Sequence, residues 1–140
     1  MEYERVLVAT DGSEHATDAA AHACDLANRH DATLDAVYVM DTENADMDVV
    51  DAETLSSELR TRGEAALQAV VETAGPFDID VETMLLEGVP FEEVLTYTEE
   101  NGVDVIVVGR RGRSEYKRVL LGSTTDAILR HSPVPVFVCP

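Results

Sequence analysis

The chain has no tryptophan and only seven other aromatic residues, three Phe and four Tyr, in 140 residues. Its core must therefore be filled by Val, Leu, Ile and Ala. Lysine is almost missing: Lys117 stands alone among ten cations, against twenty-eight Asp and Glu, for a formal net charge of −18. That balance excludes binding of nucleic acid or anionic membrane through the general surface. Acid enrichment with so little lysine reads as adaptation to a salt-rich cytoplasm, where the screening length falls from about 10 Å at 0.1 M salt to about 3 Å at 1 M. There are two cysteines, Cys24 and Cys139, with neither a zinc nor a redox spacing. They fit small core positions in a reducing compartment. No apolar run approaches a membrane span, and the charged start Met1-Glu2-Tyr3-Glu4 is unlike a secretory signal, so the expected location is cytoplasmic.

What is present alternates regularly. Arg5 to Ala9 reads as a strand, followed by the turn Thr10-Asp11-Gly12-Ser13 and a helix to about Arg29 with Ala16, Ala19, Ala20, Ala23 and Ala27 on one face. Thr33 to Met40 is a second strand, alternating at first and then largely apolar. An acidic stretch, Asp41 to Asp51, has no periodicity and is expected to be mobile. Helical spacing then runs from Ala52 to Ala74 and stops at Gly75-Pro76. Ile79 to Leu86 alternates as a third strand, and Gly88-Val89-Pro90 opens a helix ending at Asn101-Gly102. Val103 to Val108 (VDVIVV) is a continuous β-branched run, as a strand buried on both faces should be. A helix from Ser123 to about His131 and a short strand from Pro135 to Cys139 complete the chain. Such alternation implies one α/β domain, a five-stranded parallel sheet between two helical layers.

The stretch most suggestive of chemistry is Gly109 to Thr125, GRRGRSEYKRVLLGSTT. It leaves a buried strand, crosses a glycine-punctuated loop and enters a helix. Free backbone N–H groups and the positive end of a helix dipole converge at such a place, which favours an anion. Glycines let the backbone approach a phosphate. Five of the ten cations, Arg110, Arg111, Arg113, Lys117 and Arg118, fall in this loop. The plainer reading is a surface loop whose basic residues offset the acidic bulk. Ser123 to Asp126 also fits a helix-start pattern, a hydroxyl residue with an acid three positions on.

The spacing G-x2-G-x9-G-[ST] resembles the nucleotide-binding signature of the universal stress protein (UspA-like) family. The likeness runs over nearly the whole chain, through VLVATDGSE, YVMD, DVIVVGRRG, LLGSTT and PVPVFV. The resemblance implies strand order 3-2-1-4-5 and ATP held as a regulatory ligand, with Mg or Mn bridging its phosphates. Carried over residue by residue, Ala9, Thr10 and Asp11 match the nucleoside-contacting segment, and Val39 the position whose backbone meets adenine. Gly109, Gly112, Gly122, Ser123 and Thr124 match the phosphate-binding positions. Arg110, Arg111 and Arg113 are not set by the motif and are candidates through charge alone; Thr125, one turn deeper, is a weaker one. Asp11 can instead cap the first helix, and Ser123 the last. Val39 can be simply a core residue. Under the implied order Val134 to Val138 is a sheet edge too apolar to leave bare, so a homodimer through that strand is expected.

Other readings fit less well. A P-loop would need GxxxxGK[ST] after the first strand, where TDGSEH stands. A two-component receiver would need clustered acids there and a lysine ending the last strand. His15, His22, His30 and His131 share no metal spacing and read as helix-surface residues. A slow ATPase or AMP-forming transferase lacks an evident base or nucleophile. A family member that has lost nucleotide binding would not need these glycines.

Overall fold

The computed structural model describes residues 2–41, 52–111 and 121–140. Five strands and four helices alternate along the chain: β1 (Arg5–Ala9), α1 (Glu14–His30), β2 (Thr33–Met40), α2 (Ala52–Ala74), β3 (Val81–Glu87), α3 (Pro90–Glu100), β4 (Val105–Gly109), α4 (Ser123–His131) and β5 (Val136–Cys139). The strands form one parallel sheet in the order β3-β2-β1-β4-β5. In register, Val8 lies beside both Ala36 and Val107. The acidic stretch expected to be mobile lies outside the described residues from position 42 to 51.

Three boundaries differ from the expectation, each for a local reason. Ile79 packs against the core but precedes β3, because the parallel ladder with β2 begins at Leu34 and Val81. Val103 precedes β4 and closes the turn after α3, its amide donating to Thr98 O at 3.1 Å beyond Gly102, which turns at φ +64°. Pro135 precedes β5 and contributes only a carbonyl, which accepts from Ile106 N at 3.0 Å.

The sheet separates two apolar layers. Val6, Val8, Leu34, Ala36, Tyr38 and Val107 face α1 and α2. Leu7, Val37, Ile106 and Val108 face α3 and α4. The alanine face of α1 is buried, as its spacing implies, and lets that helix lie close to the sheet. In α2 the same end is served by Gly63: a Cβ there would meet Leu85 Cδ1 at 2.5 Å and Tyr38 Cδ1 at 2.8 Å. Cys24 and Cys139 are buried free thiols, and burial pushes Cys24 up to about 11.

At the amino-terminal pole of the sheet, Asp35 is fully buried within β2. Arg5 grips it with two bonds, Nε to Oδ2 at 2.7 Å and a terminal guanidinium nitrogen to Oδ1 at 3.1 Å. Tyr97 OH on α3 donates to the same carboxylate at 3.2 Å, and Glu82 on β3 pairs with Arg5 from the rim. Burial first, and then the Asp35 carboxylate, push the Tyr97 phenol up to about 12. The hydrogen bond to Asp35 holds Arg5 above its ordinary value.

Candidate functional site

The adjacency of β1 and β4 makes the topological switch point, where the loops leaving the two strands turn to opposite faces of the sheet. The β1 side is built by a short run of local bonds. Thr10 N donates to Val37 O at 2.9 Å, extending the β1–β2 ladder past Ala9, and Gly12 turns at φ +81°. Asp11 Oδ1 accepts from Ser13 N at 2.9 Å. The cap of α1 is Ser13, whose Oγ accepts from Ala16 N at 3.2 Å. Asp11 therefore shapes the turn before the helix and is not its cap, and its Oδ2 takes no hydrogen bond among the described residues. Val39, near the end of β2, is half-buried against the α3–α4 layer.

The β4 side is held at its base. Arg110 N donates to Cys139 O at 2.7 Å, and Arg110 O accepts from Gly122 N at 2.8 Å. The end of β4, the end of β5 and the start of α4 are thus tied at one residue. Thr125 Oγ1 donates to Gly109 O at 2.7 Å, so this buried hydroxyl is committed to the scaffold. Gly109 is a glycine for a packing reason: a Cβ there would meet His15 O at 3.2 Å and Arg111 O at 3.4 Å. The first turn of α1 presses on it, a constraint invisible in the spacing.

One expectation about α4 is corrected. Ser123 is the first helical residue, and Gly122 occupies the cap position with no side-chain cap bond. Gly122 also has ordinary extended angles, φ −66° and ψ 154°, so no special backbone conformation requires glycine there. The consequence favours a ligand site. Among the described residues the amides of Ser123, Thr124 and Thr125 donate to no acceptor and the Ser123 and Thr124 hydroxyls make no hydrogen bond, and Gly122 has no side chain to cover them. Arg110 is solvent-facing and makes no ion pair among the described residues. Gly112 and Arg113, with Lys117 and Arg118, lie outside those residues.

The structure thus brings Thr10, Asp11, Gly109, Arg110, Gly122, Ser123 and Thr124 to the carboxyl ends of two neighbouring strands. What the arrangement offers chemically is polar and asymmetric: a carboxylate oxygen on the β1 side, and orphan N–H groups with a helix dipole on the β4 side. A ligand with hydroxyl or amino donors at one end and an anion at the other fits that polarity. His15 touches the site through its backbone, beside Gly109, and the other three histidines have contacts elsewhere. His30 Nδ1 accepts from Tyr3 N at 3.4 Å, His22 faces Phe137 with ring centroids 5.9 Å apart, and His131 stacks on Phe91.

A doubly wound parallel sheet with the loops after β1 and β4 meeting at its switch point defines the class of protein. Within that class the comparison with known proteins is specific, because the model of the universal stress protein family matches residues 2–140. A universal stress protein of Methanocaldococcus jannaschii is 33% identical over 138 residues, covering 97% of this chain and 81% of the relative. The structure of UspA from Lactobacillus plantarum superposes with a TM-score of 0.82 at 30% identity, covering 100% of this chain and 99% of that one. A universal stress protein solved in complex with cAMP superposes with a TM-score of 0.79 at 25% identity, covering 100% and 99%. The chain belongs to the universal stress protein family. No helix among its described residues is long and apolar enough to cross a membrane.

Proposed function

We propose that this universal stress protein is a cytoplasmic ATP-binding protein that holds the nucleotide as a regulatory ligand. The observation carrying this reading is the pairing of the free Asp11 Oδ2 with the three orphan amides at the start of α4, across the β1–β4 switch point. Asp11 would accept from the ribose or the adenine amine, and the backbone of Val39 would border the base. Gly122, Ser123 and Thr124 would hold the phosphates, joined by Gly112 and by Arg110, Arg111 and Arg113 through charge. Mg or Mn would neutralise the phosphates and bridge them, with few or no ligands from the protein. The cAMP complex of a relative supports the reading by showing that an adenine nucleotide occupies a member of this fold. Mass spectrometry of the nucleotide released on denaturing the purified protein tests it: an adenine nucleotide is expected. A protein that carries none, and that shows no thermal shift with ATP and millimolar Mg or Mn, is instead a nucleotide-free interaction protein.

The same reading includes a homodimer through the last strand. Phe137 on β5 is 46% exposed at the open edge of the sheet, a large apolar side chain left facing solvent. A copy paired antiparallel would cover it in a two-fold interface. Phe137→Asp should convert the dimer to monomer in light scattering; a dimer of unchanged mass would put the interface elsewhere.

Salt dependence follows from the charge. With a net −18 on one 140-residue domain, repulsion should lower stability as salt falls from molar to about 0.1 M and the screening length grows roughly threefold. A melting temperature that rises with potassium chloride supports adaptation to high salt; one that stays flat removes it.

A further inference from the structure

The two edges of the sheet are not alike. β5 has 4 residues and follows Pro133 and Pro135, whereas β3 has 7 and contains no proline, glycine or lysine. The register of β3 with β2 runs one for one from Leu34 and Val81 to Met40 and Glu87, without a bulge. The devices that close an edge to further pairing, a proline, a lysine or a bulge, are therefore missing from β3. Glu82, Thr83, Met84 and Glu87 are exposed on it, and Met84 leaves a large apolar side chain 37% open to solvent. Backbone groups alternate in direction along a strand. Asp80 O accepts from Leu34 N at 2.9 Å and Gly88 N donates to Met40 O at 3.1 Å, so the even-numbered residues between them turn their backbone groups towards β2. Val81, Thr83, Leu85 and Glu87 turn theirs outward. Among the described residues none of these outward amides and carbonyls has a partner.

Charge decides what fits there. From position 63 to 109 the chain carries eleven Asp and Glu and no Lys, Arg or His. β3 lies within this stretch, with Asp78 and Asp80 just before it and Glu82 and Glu87 in it. Glu82 pairs with Arg5, and the other three acids make no ion pair among the described residues. A second copy of β3 laid along this edge would set acid against acid, which is destabilising. The same acids leave the edge open to a strand that carries cations.

We infer that the free edge of β3 is a docking site for an extended basic segment of another protein, which adds to the sheet as a further strand. The outward backbone groups of Val81, Thr83, Leu85 and Glu87 pair with it and supply the register. Cations towards its two ends meet Asp80 and Glu82 at one end of β3 and Glu87 at the other. Apolar side chains between them cover Met84. This site stands on the β3 edge alone, and it is independent of the nucleotide reading.

The test uses a capped peptide, Lys-Lys-Val-Thr-Ile-Thr-Lys-Lys, on the full chain at the lowest salt that keeps it folded, because salt screens the attraction. The peptide should slow hydrogen exchange of the outward amides of Thr83 and Leu85 about tenfold, with a dissociation constant on the order of 0.1 mM. A peptide of the same charge with both threonines replaced by proline cannot pair as a strand and should protect neither amide. One with glutamate in place of every lysine should not bind. In the protein, Thr83→Pro removes an outward amide and leaves the β2 ladder intact, and should weaken the lysine peptide about tenfold. Met84→Lys, at a solvent-facing side chain, should weaken it about fivefold and serves if the proline variant does not fold. Unprotected amides with the lysine peptide, equal protection by the proline peptide, or a folded variant that binds like the wild type would each overturn the site. So would protection of these amides in the protein alone that grows with its concentration, since the edge would then take a second copy.

Discussion

Arg5→Met should lower the stability of this domain by about 3–5 kcal/mol, the usual cost of leaving a buried charge without its partner. Asp35 is wholly inaccessible, and with Arg5 gone only the Tyr97 hydroxyl still bonds to it. The effect is specific to the imbalance of charge rather than to lost contact. A second change, Asp35→Asn, should therefore recover most of the loss in the Arg5→Met background, and Arg5→Met with Asp35→Leu should come close to wild type. Chemical denaturation of the four proteins in molar salt measures the loss and its recovery. If Arg5→Met costs less than about 1 kcal/mol, as for an exposed pair, the network at the amino-terminal pole is not a structural charge pair in solution.

Gly122→Val should abolish ATP binding while the sheet stays folded. The backbone at Gly122 is ordinary for any residue, so valine is tolerated there at a helix-cap cost of about 1 kcal/mol. Its branched side chain would, however, stand over the orphan amides of Ser123 and Thr124, where the phosphates are proposed to sit. Gly109 is a poorer test: a Cβ there would press on the α1 backbone at His15 O, 3.2 Å away, so a loss of binding would mix the ligand with a shift of the scaffold. Asp11→Ala should weaken ATP, ADP and adenosine alike by about 1.5–3 kcal/mol, the worth of a hydrogen bond to a charged group. Arg110→Ala should weaken ATP more than adenosine, and less so as salt rises. With ATP at about a hundred times its dissociation constant, the wild type should gain roughly 2.7 kcal/mol of stability. A Gly122→Val protein that shifts with ATP as far as the wild type does would remove the phosphates from the start of α4.

Much of this protein was legible in its sequence, and for a common reason: the readable features depend on residues near one another along the chain. The β-branched run of Val105 to Val108 and the alanine face of α1 each announce an element by their own periodicity. So do Gly75-Pro76 after α2 and Pro90 at the start of α3, whose effects on φ and on hydrogen bonding are local. The G-x2-G-x9-G-[ST] spacing marked the loop before α4 in the same way, and the resemblance it carries implied the strand order that the sheet has.

Tertiary structure alone decided which polar groups are used and which remain free. Asp35 looked like the polar half of an alternating strand, but β2 is covered on both faces, so its carboxylate had to find Arg5 thirty residues earlier and Tyr97 on a helix of the opposite layer. Ser123 had the sequence of a cap, yet Gly122 takes that position because its amide is tied to Arg110 O, which leaves the serine inside the helix and the first amides uncovered. Thr125, a weaker candidate than Ser123 by its place one turn deeper, has its hydroxyl committed to Gly109 O. In each case the deciding partner lies across the sheet or between layers, and the free energy of a buried or uncovered polar group depends on that partner rather than on its neighbours in the chain.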